Sequence, residues 1–117
     1  MIVRIVAALA LASAAPAIAQ QSGEQLFRQR CQACHATDPA KPAILAPNLR
    51  GVVGRKAAAT PFAYSPALKA AKLTWSAETL DAYLAGPAKL VPGTRMMISI
   101  ADARQRAALI DYLATLK

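Results

Sequence analysis

Residues 31–35 read Cys31-Gln32-Ala33-Cys34-His35, and this stretch holds both cysteines and the single histidine of the 117-residue chain. Residues three positions apart lie on the same side of a helical turn, so the two cysteines present their sulfur atoms together, and His35 follows directly. The whole chain has only one tryptophan, three tyrosines and two phenylalanines. A small domain with so little bulk for a core depends on a disulfide, a metal or a cofactor, and residues 31–35 are the candidate site for it.

Four chemistries compete for a Cys-x-x-Cys-His stretch. A thioredoxin-like redox disulfide needs a βαβ context that this sequence does not offer, and tetrahedral zinc needs four ligands, although no second Cys or His pair exists. A structural disulfide suits an exported protein, but it leaves His35 without a role. Covalent attachment of a c-type haem accounts for all three residues. In this chemistry Cys31 and Cys34 would form thioethers to the vinyl groups, and His35 would bind the iron as proximal ligand. One covalent haem c is the predicted cofactor.

The two ends of the domain predict helices, and no stretch of the chain predicts a strand. Ser22 and Gln25 match a capping box, which starts a first helix that we expect to run into Cys34. Asp102 and Gln105 have the same offset and open the last helix, whose apolar residues recur on one face. An all-α domain follows.

Shorter helices are expected between these two. One is predicted over residues 66–72. Another begins after Thr74 or Ser76, either of which can cap it, and ends at residues 86–87, where Gly-Pro stops a helix.

Two long irregular stretches separate the helices, over residues 38–60 and 88–100. Long loops in a compact domain usually have something to wrap. The second stretch contains Met96 and Met97, the two methionines that remain if Met1 is removed. Thioether sulfur is a soft iron ligand that raises the reduction potential, so either of the two is a candidate for the sixth position.

The first 19 residues match a secretory signal peptide. Arg4 provides the positive start, residues 5–14 are apolar, and Ala-Ile-Ala at residues 17–19 suits a signal peptidase. The apolar run is shorter than the ~20 residues that span a bilayer, which disfavours an uncleaved anchor. We therefore predict a leader over residues 1–19, a single domain over residues 20–117, and a periplasmic location.

The predicted mature domain is strongly basic. Loss of Arg4 from a chain of net charge +8 leaves thirteen basic against six acidic residues, a net charge of +7. Basic exported proteins attract acidic partners, anionic lipid or nucleic acid. The basic residues are scattered from Arg28 to Lys117 without a run, which argues against nucleic acid. A solvated surface and a docking face for acidic partners both remain open from charge alone.

The sequence resembles the class I c-type cytochromes, within them the mitochondrial cytochrome c and bacterial soluble branch. The resemblance runs from Gly23 to Leu116. Its pieces are Gly23 and Phe27 before CQACH, PNLRG at 47–51, GRK at 54–56, FAY at 62–64, LTW at 73–75, ETL at 78–80, YL at 83–84, PGTRM at 92–96 and DYL at 111–113. It implies crossing N- and C-terminal helices, one or two central helices, and long loops that wrap a single haem.

The resemblance also implies roles for matching positions. Met96, which follows Pro-Gly-Thr-Arg, matches the axial ligand, so that His35 and Met96 would bind the metal. The Pro47 carbonyl would accept the ring N–H of His35. The haem propionates would be held by Arg55, Tyr64, Trp75 and Thr94. The hydroxyl of Tyr83 would lie near the axial sulfur, while Gly23, Phe27, Leu109 and Tyr112 would form the helix crossing. Ile98 departs from the pattern, because the family has an aromatic residue there.

These implications predict a soluble, monomeric one-electron carrier and not an enzyme. Its partners would be redox proteins with acidic docking surfaces, such as a quinol-oxidising cytochrome complex, a terminal oxidase or a periplasmic dehydrogenase, and it would meet the membrane only peripherally. The alternative is the dedicated electron-accepting subunit of a periplasmic dehydrogenase. A haem peroxidase or gas sensor would need Met96 to be absent from the iron or easily displaced.

Overall fold

The computed structural model describes residues 3, 5–12 and 20–117. The predicted leader lies partly outside these residues, and its proposed cleavage site at residues 17–19 lies wholly outside them. No helix in the part of the chain that is described is both long and apolar enough to cross a membrane.

Five helices form the domain: α1 (Gly23–Arg30), α2 (Pro66–Ala70), α3 (Ala77–Ala85), α4 (Pro87–Leu90) and α5 (Ala103–Thr115). The described residues form no β-strand, and their extended pairing is limited to an isolated antiparallel bridge between Lys56 and Thr74. The predicted all-α class is confirmed.

Helix α1 begins as predicted and ends earlier than predicted. Ser22 and Gln25 make both hydrogen bonds of a capping box. At the other end, the N–H groups of Cys31 and Gln32 both donate to the carbonyl of Phe27, at 2.8 and 2.9 Å, which breaks the regular ladder. The prediction that the helix runs into Cys34 is therefore wrong. A separate turn follows, closed by a 3.0 Å bond from the His35 N–H to the Cys31 carbonyl.

Helix α3 has the predicted limits, but a further helix follows it at once. Ser76 is the N-cap of α3, and Gly86 is its C-cap. The next residue, Pro87, starts the single turn α4, whose other three residues lie in the stretch 88–100 that was expected to be irregular. Proline suits the first position of a helix because its fixed φ is helical and its missing N–H has no partner there anyway. Three helices, rather than one or two, therefore lie between α1 and α5.

Helices α1 and α5 cross in close contact. A Cβ atom at Gly23 would lie 2.0 Å from the Ala108 carbonyl oxygen, so only glycine allows this approach. The rings of Phe27 and Tyr112 pack at 5.5 Å between centroids, and Leu109 is almost fully buried. The crossing of the terminal helices is as the sequence predicts.

The loop of residues 91–101, which carries both methionines, is anchored at its far end by Arg106. This mostly buried side chain donates to the carbonyls of Ile100 and Ala101 at 2.9 and 3.0 Å and forms a 2.8 Å ion pair with Asp81 of α3. The N–H of Ile100 also donates to the Leu84 carbonyl at 2.7 Å. The end of the loop is thus held to both α3 and α5.

Candidate cofactor-binding site

A cavity of about 630 Å³ lies between the turn after α1, the loop between α1 and α2, helix α3, the loop of residues 91–101 and helix α5. All ten site residues predicted from the sequence line it: Cys31, Cys34, His35, Pro47, Arg55, Tyr64, Trp75, Tyr83, Thr94 and Met96. The structure therefore brings together residues from five separate segments of the chain.

The walls of this cavity are mainly apolar, and the charges on them have one sign. Arg30, Arg55 and Arg95 line it, whereas no aspartate or glutamate of the described residues does. A volume of about 630 Å³ lies in the range of pockets that enclose a small organic ligand. The cavity thus suits a large apolar group that carries anionic substituents.

The imidazole ring of His35 is held in one orientation by a hydrogen bond at its Nδ1 atom. Nδ1 lies 2.7 Å from the Pro47 carbonyl oxygen. A carbonyl can only accept, so Nδ1 carries the proton in this contact, and the neutral ring then has its lone pair on Nε2. Burial lowers the pKa of His35, although the bond to Pro47 opposes this. A neutral imidazole with a free Nε2 is the form that binds a metal ion.

The two cysteines lie on the turn between α1 and His35. Cys31 is half-buried and Cys34 is exposed. Burial raises the pKa of the Cys31 thiol, while the positive charge of Arg30 acts in the opposite direction. Both thiols line the cavity beside the imidazole, so one ligand of the cavity can contact all three side chains.

The two methionines differ in environment, although both line the cavity. Met96 is partly buried and packs against the hydrophobic core, whereas Met97 is 83% exposed. A sulfur ligand has to be held in place by packing, and only Met96 is held in this way. The difference favours Met96 over Met97 on grounds independent of the sequence pattern.

Arg55 lines the cavity and is held in place by backbone carbonyls. Its guanidinium donates to the carbonyls of Asn48 and Arg50 at 3.0 and 3.1 Å. Burial lowers the pKa of Arg55, with Tyr64 opposing this, and the Tyr64 hydroxyl shares a hydrogen bond with Thr60. A half-buried cation on an apolar wall is stabilised by an anionic group of a ligand.

Tyr83 and Thr94 are hydrogen-bonded to each other. Their hydroxyl oxygens lie 2.6 Å apart and are buried, and the Tyr83 ring packs on Trp75 at 4.9 Å between centroids. Burial raises the pKa of Tyr83, against the effect of the Thr94 bond. The sequence patterns named the two residues for different roles, and their pairing was not foreseen.

Several residues of the cavity were not singled out as cofactor-contacting from the sequence. Arg30 and Arg95 each directly precede a predicted cofactor ligand, Cys31 and Met96, so their neighbours in sequence gave a usable signal. Ile44 and Leu45 lie in a proline-interrupted loop without periodicity, and nothing in the local pattern assigned them to the cavity that they line.

Comparison with known proteins identifies the family. Residues 20–117 match the family model described as cytochrome c. The chain is 46% identical to cytochrome c2 of Rhodomicrobium vannielii, with 80% of this chain and 75% of the relative covered, and 43% identical to cytochrome c type-1 of Ascaris suum, with 80% and 84% covered. Its structure is similar to that of cytochrome cH from Methylobacterium extorquens, with a TM-score of 0.73, 41% identity, and 80% and 94% of the two chains covered.

This chain therefore belongs to the cytochrome c family. The resemblance and the class I fold inferred from the sequence are confirmed. Its cofactor is one covalently attached haem c, and it is a monohaem electron carrier. The apolar cavity, its arginines and its Cys, His and Met side chains fit such a group. None of the three relatives is described as a dehydrogenase subunit, a peroxidase or a sensor, so the comparisons do not favour those alternatives.

Proposed function

We propose that this protein carries single electrons between redox complexes, and that Cys31 and Cys34 would attach the haem while His35 and Met96 would bind its iron. The haem, when bound, supplies a one-electron couple at its iron. The observation that supports this assignment best is the presence of both candidate iron ligands on one cavity, with Met96 packed against the core and Met97 exposed. Two protein ligands leave no coordination site for a substrate, which disfavours catalysis.

The other cavity residues orient the iron ligand and offset the negative charge of the cofactor. Pro47 holds the His35 ring by accepting its Nδ1 proton at 2.7 Å, a contact that raises the basicity of the ligating nitrogen. Arg55, Tyr64, Trp75 and Thr94 offer a positive charge and hydrogen-bond donors for the propionates. Tyr83 contributes a buried hydroxyl near the loop of Met96, fixed through Thr94.

The cellular location that we propose for the protein is the periplasm. Residues 1–19 have the charge, apolar run and small-residue end of a secretory signal, whereas a mitochondrial transit peptide is amphipathic and rich in arginine and serine. Among the relatives are a cytochrome c2 and a cytochrome cH of bacteria. Removal of the leader would leave a monomeric domain that meets membranes only through its partners.

The partners in this proposal are redox proteins with acidic docking surfaces, in a respiratory chain or around a periplasmic dehydrogenase. The net charge of +7 for residues 20–117 supports this choice, because opposite charges accelerate encounter. The rate of such encounters falls with ionic strength.

Two methionine variants of the haem-loaded protein test the ligand assignment. Met96→Ala is expected to abolish the visible charge-transfer band that reports methionine sulfur on ferric haem and to lower the reduction potential. Met97→Ala is the matched control and is expected to leave both unchanged. Loss of the band in Met97→Ala alone would reverse the assignment. Failure to find one reversible electron per chain by voltammetry would overturn the carrier function itself.

A further inference from the structure

The segment that presents Met96 is not fastened directly to the rest of the domain. Residues 96–98 make no hydrogen bond to any other residue that the structure describes. The loop of residues 91–101 is fastened on either side of this segment instead. Before it, the Thr94 hydroxyl lies 2.6 Å from that of Tyr83, and after it the Ile100 N–H donates to the Leu84 carbonyl at 2.7 Å. The position of the thioether therefore depends on how firmly the two flanks of the loop are held.

The later flank of the loop is held by an arginine that is itself fixed by a carboxylate. Nη1 of Arg106 donates to the carbonyls of Ile100 and Ala101 at 2.9 and 3.0 Å, while its Nε donates to Oδ1 of Asp81 at 2.8 Å. A guanidinium is a rigid planar fork, so a carboxylate at Nε fixes the direction in which Nη1 points. The Arg106 side chain is mostly buried and that of Asp81 is half-exposed. Neither of the two lines the cavity.

We infer that Asp81 is a positioning residue for Met96: through Arg106, its carboxylate holds the later flank of the loop and keeps the thioether at the cavity. The inference rests on the assignment of Met96 as iron ligand proposed above. Asp81, Tyr83 and Leu84 lie within one turn of α3. Because Tyr83 holds the earlier flank and the other two hold the later one, a single helix fixes the loop on both sides of the ligand.

The alternative is an ion pair that only stabilises the fold as a whole. The contacts of the arginine favour the local role, because both bonds of its Nη1 go to the end of one loop. Segments that are held by few contacts open locally at a lower free energy than the whole domain unfolds. Without Asp81, the side chain of Arg106 is free to turn about its torsions. The loop then opens more often and Met96 leaves the cavity, while the helices stay packed.

The test compares two variants of the haem-loaded protein that each lose one carboxylate charge. Asp81→Asn removes the charge that holds Arg106. Glu24→Gln is the matched control, because Glu24 forms a 2.7 Å ion pair with Arg28 within α1, where both side chains are exposed. Both variants lose one ion pair and change the net charge by the same amount. A difference between them therefore reports where the ion pair lies and not its charge.

Two measurements report the loop, and a third reports the fold. The first two are hydrogen exchange of the Ile100 N–H and the affinity for added imidazole, which binds the iron only after Met96 has left it. Both should rise about fivefold in Asp81→Asn, and this difference should shrink at high ionic strength, because salt screens a half-exposed ion pair. Exchange of the Leu109 N–H, which lies on the buried face of α5, should stay as in the wild type. Glu24→Gln should match the wild type in all three.

A further variant keeps the positive charge and removes only the fork. Arg106→Lys leaves an ammonium group that cannot reproduce the geometry of the guanidinium toward a carboxylate and two carbonyls. Exchange of the Ile100 N–H should therefore rise at least as much as in Asp81→Asn. The two substitutions act through one contact, so their effects should not add in the double variant. Additive effects would contradict an action of Asp81 through Arg106.

The remaining outcomes separate this role of Asp81 from the proposed function. Equal exchange of the Ile100 N–H in Asp81→Asn and Glu24→Gln overturns the positioning role and leaves the carrier function standing. Faster exchange at both Ile100 and Leu109 with an unchanged affinity for imidazole does the same, because the ion pair then stabilises only the fold. A wild-type protein without the charge-transfer band of methionine-bound ferric haem overturns the proposed ligand assignment, and the role of Asp81 with it.

Discussion

Replacement of Gly23 by alanine is expected to separate α1 from α5. The added Cβ would lie 2.0 Å from the Ala108 carbonyl oxygen, 2.7 Å from the carbonyl carbon and 2.8 Å from the Tyr112 Cβ, where ordinary contact begins at 3.4 Å. Two of these atoms are backbone, so no side-chain rotation relieves the clash. The helices have to move apart by more than ~1 Å, which also disturbs the stacking of Phe27 on Tyr112.

The expected loss of stability is about 0.5–4.5 kcal/mol, with a central value of about 2.5 kcal/mol. Overpacking in a well-packed core costs ~1–3 kcal/mol, and a disturbed aromatic pair adds ~0.5–1.5 kcal/mol. The better helix propensity of alanine returns at most ~1 kcal/mol. For a domain of about 100 residues, each kcal/mol lowers Tm by roughly 4–8 °C, so the central value of about 2.5 kcal/mol corresponds to a fall of roughly 10–20 °C.

Guanidinium and thermal unfolding, followed by circular dichroism on the haem-loaded protein, measure this loss for Gly23→Ala. Gly86→Ala is the control, because its Cβ would meet only the Cβ and Cδ atoms of Lys89, at 3.3 and 4.0 Å and without any backbone atom, and its φ of −167° suits any residue. A loss below ~0.5 kcal/mol in Gly23→Ala, or an equal loss in the control, would refute the argument that this crossing requires glycine.

Two further substitutions have opposite expected signs. Lys72, an exposed residue just beyond α2, has a φ of +52°, which glycine adopts more readily than lysine. Lys72→Gly should therefore raise the free energy of unfolding by about 0.5–1 kcal/mol, whereas Lys69→Gly inside α2 should lower it by a similar amount. Equal effects of the two substitutions in denaturant titrations would contradict this. Tyr83→Phe leaves the buried Thr94 hydroxyl without its partner and should cost about 1–3 kcal/mol. The pKa of Tyr83 is raised in the fold above its ordinary value of 10.0. The contribution of protonated Tyr83 to stability is therefore complete below pH 10.0 and is lost as the pH rises through the folded-state pKa. Tyr83→Phe should reduce this loss of stability at alkaline pH, and an unchanged pH profile would exclude Tyr83 as its source.

The features most readable from the sequence are those set by neighbouring residues. The caps are local hydrogen-bond arrangements: Ser22 and Asp102 cap their helices as predicted, and of the two caps offered for α3, Thr74 and Ser76, the structure has Ser76. Cys31 and His35 are four residues apart, so a single turn brings them to one cavity. The fold class followed from the same signals.

The errors arise from details that residue periodicity does not encode, two of them local and one tertiary. Helix α1 stops at Arg30 because the Phe27 carbonyl accepts two N–H groups, a detail that residue periodicity does not encode. Helix α4 forms because Pro87 is both the end signal of one helix and a good first residue for the next. The pairing of Tyr83 with Thr94 joins two segments whose separation only the folded chain determines.

The cavity and the hydrophobic core are largely one structure. Of the twelve buried residues of the core, nine also line the cavity: Phe27, Val52, Trp75, Leu80, Tyr83, Leu84, Ile100, Leu109 and Leu113. A haem bound there would contact the same side chains that pack α1, α3 and α5 together. The free energy of haem binding then also stabilises the folded state, because the unfolded chain has no apolar cavity in which to bind the haem. The bound cofactor thus allows a chain poor in aromatic residues to form a stable domain. Because residues 31–35 attach the cofactor in our proposal, they also decide whether this fold is stable.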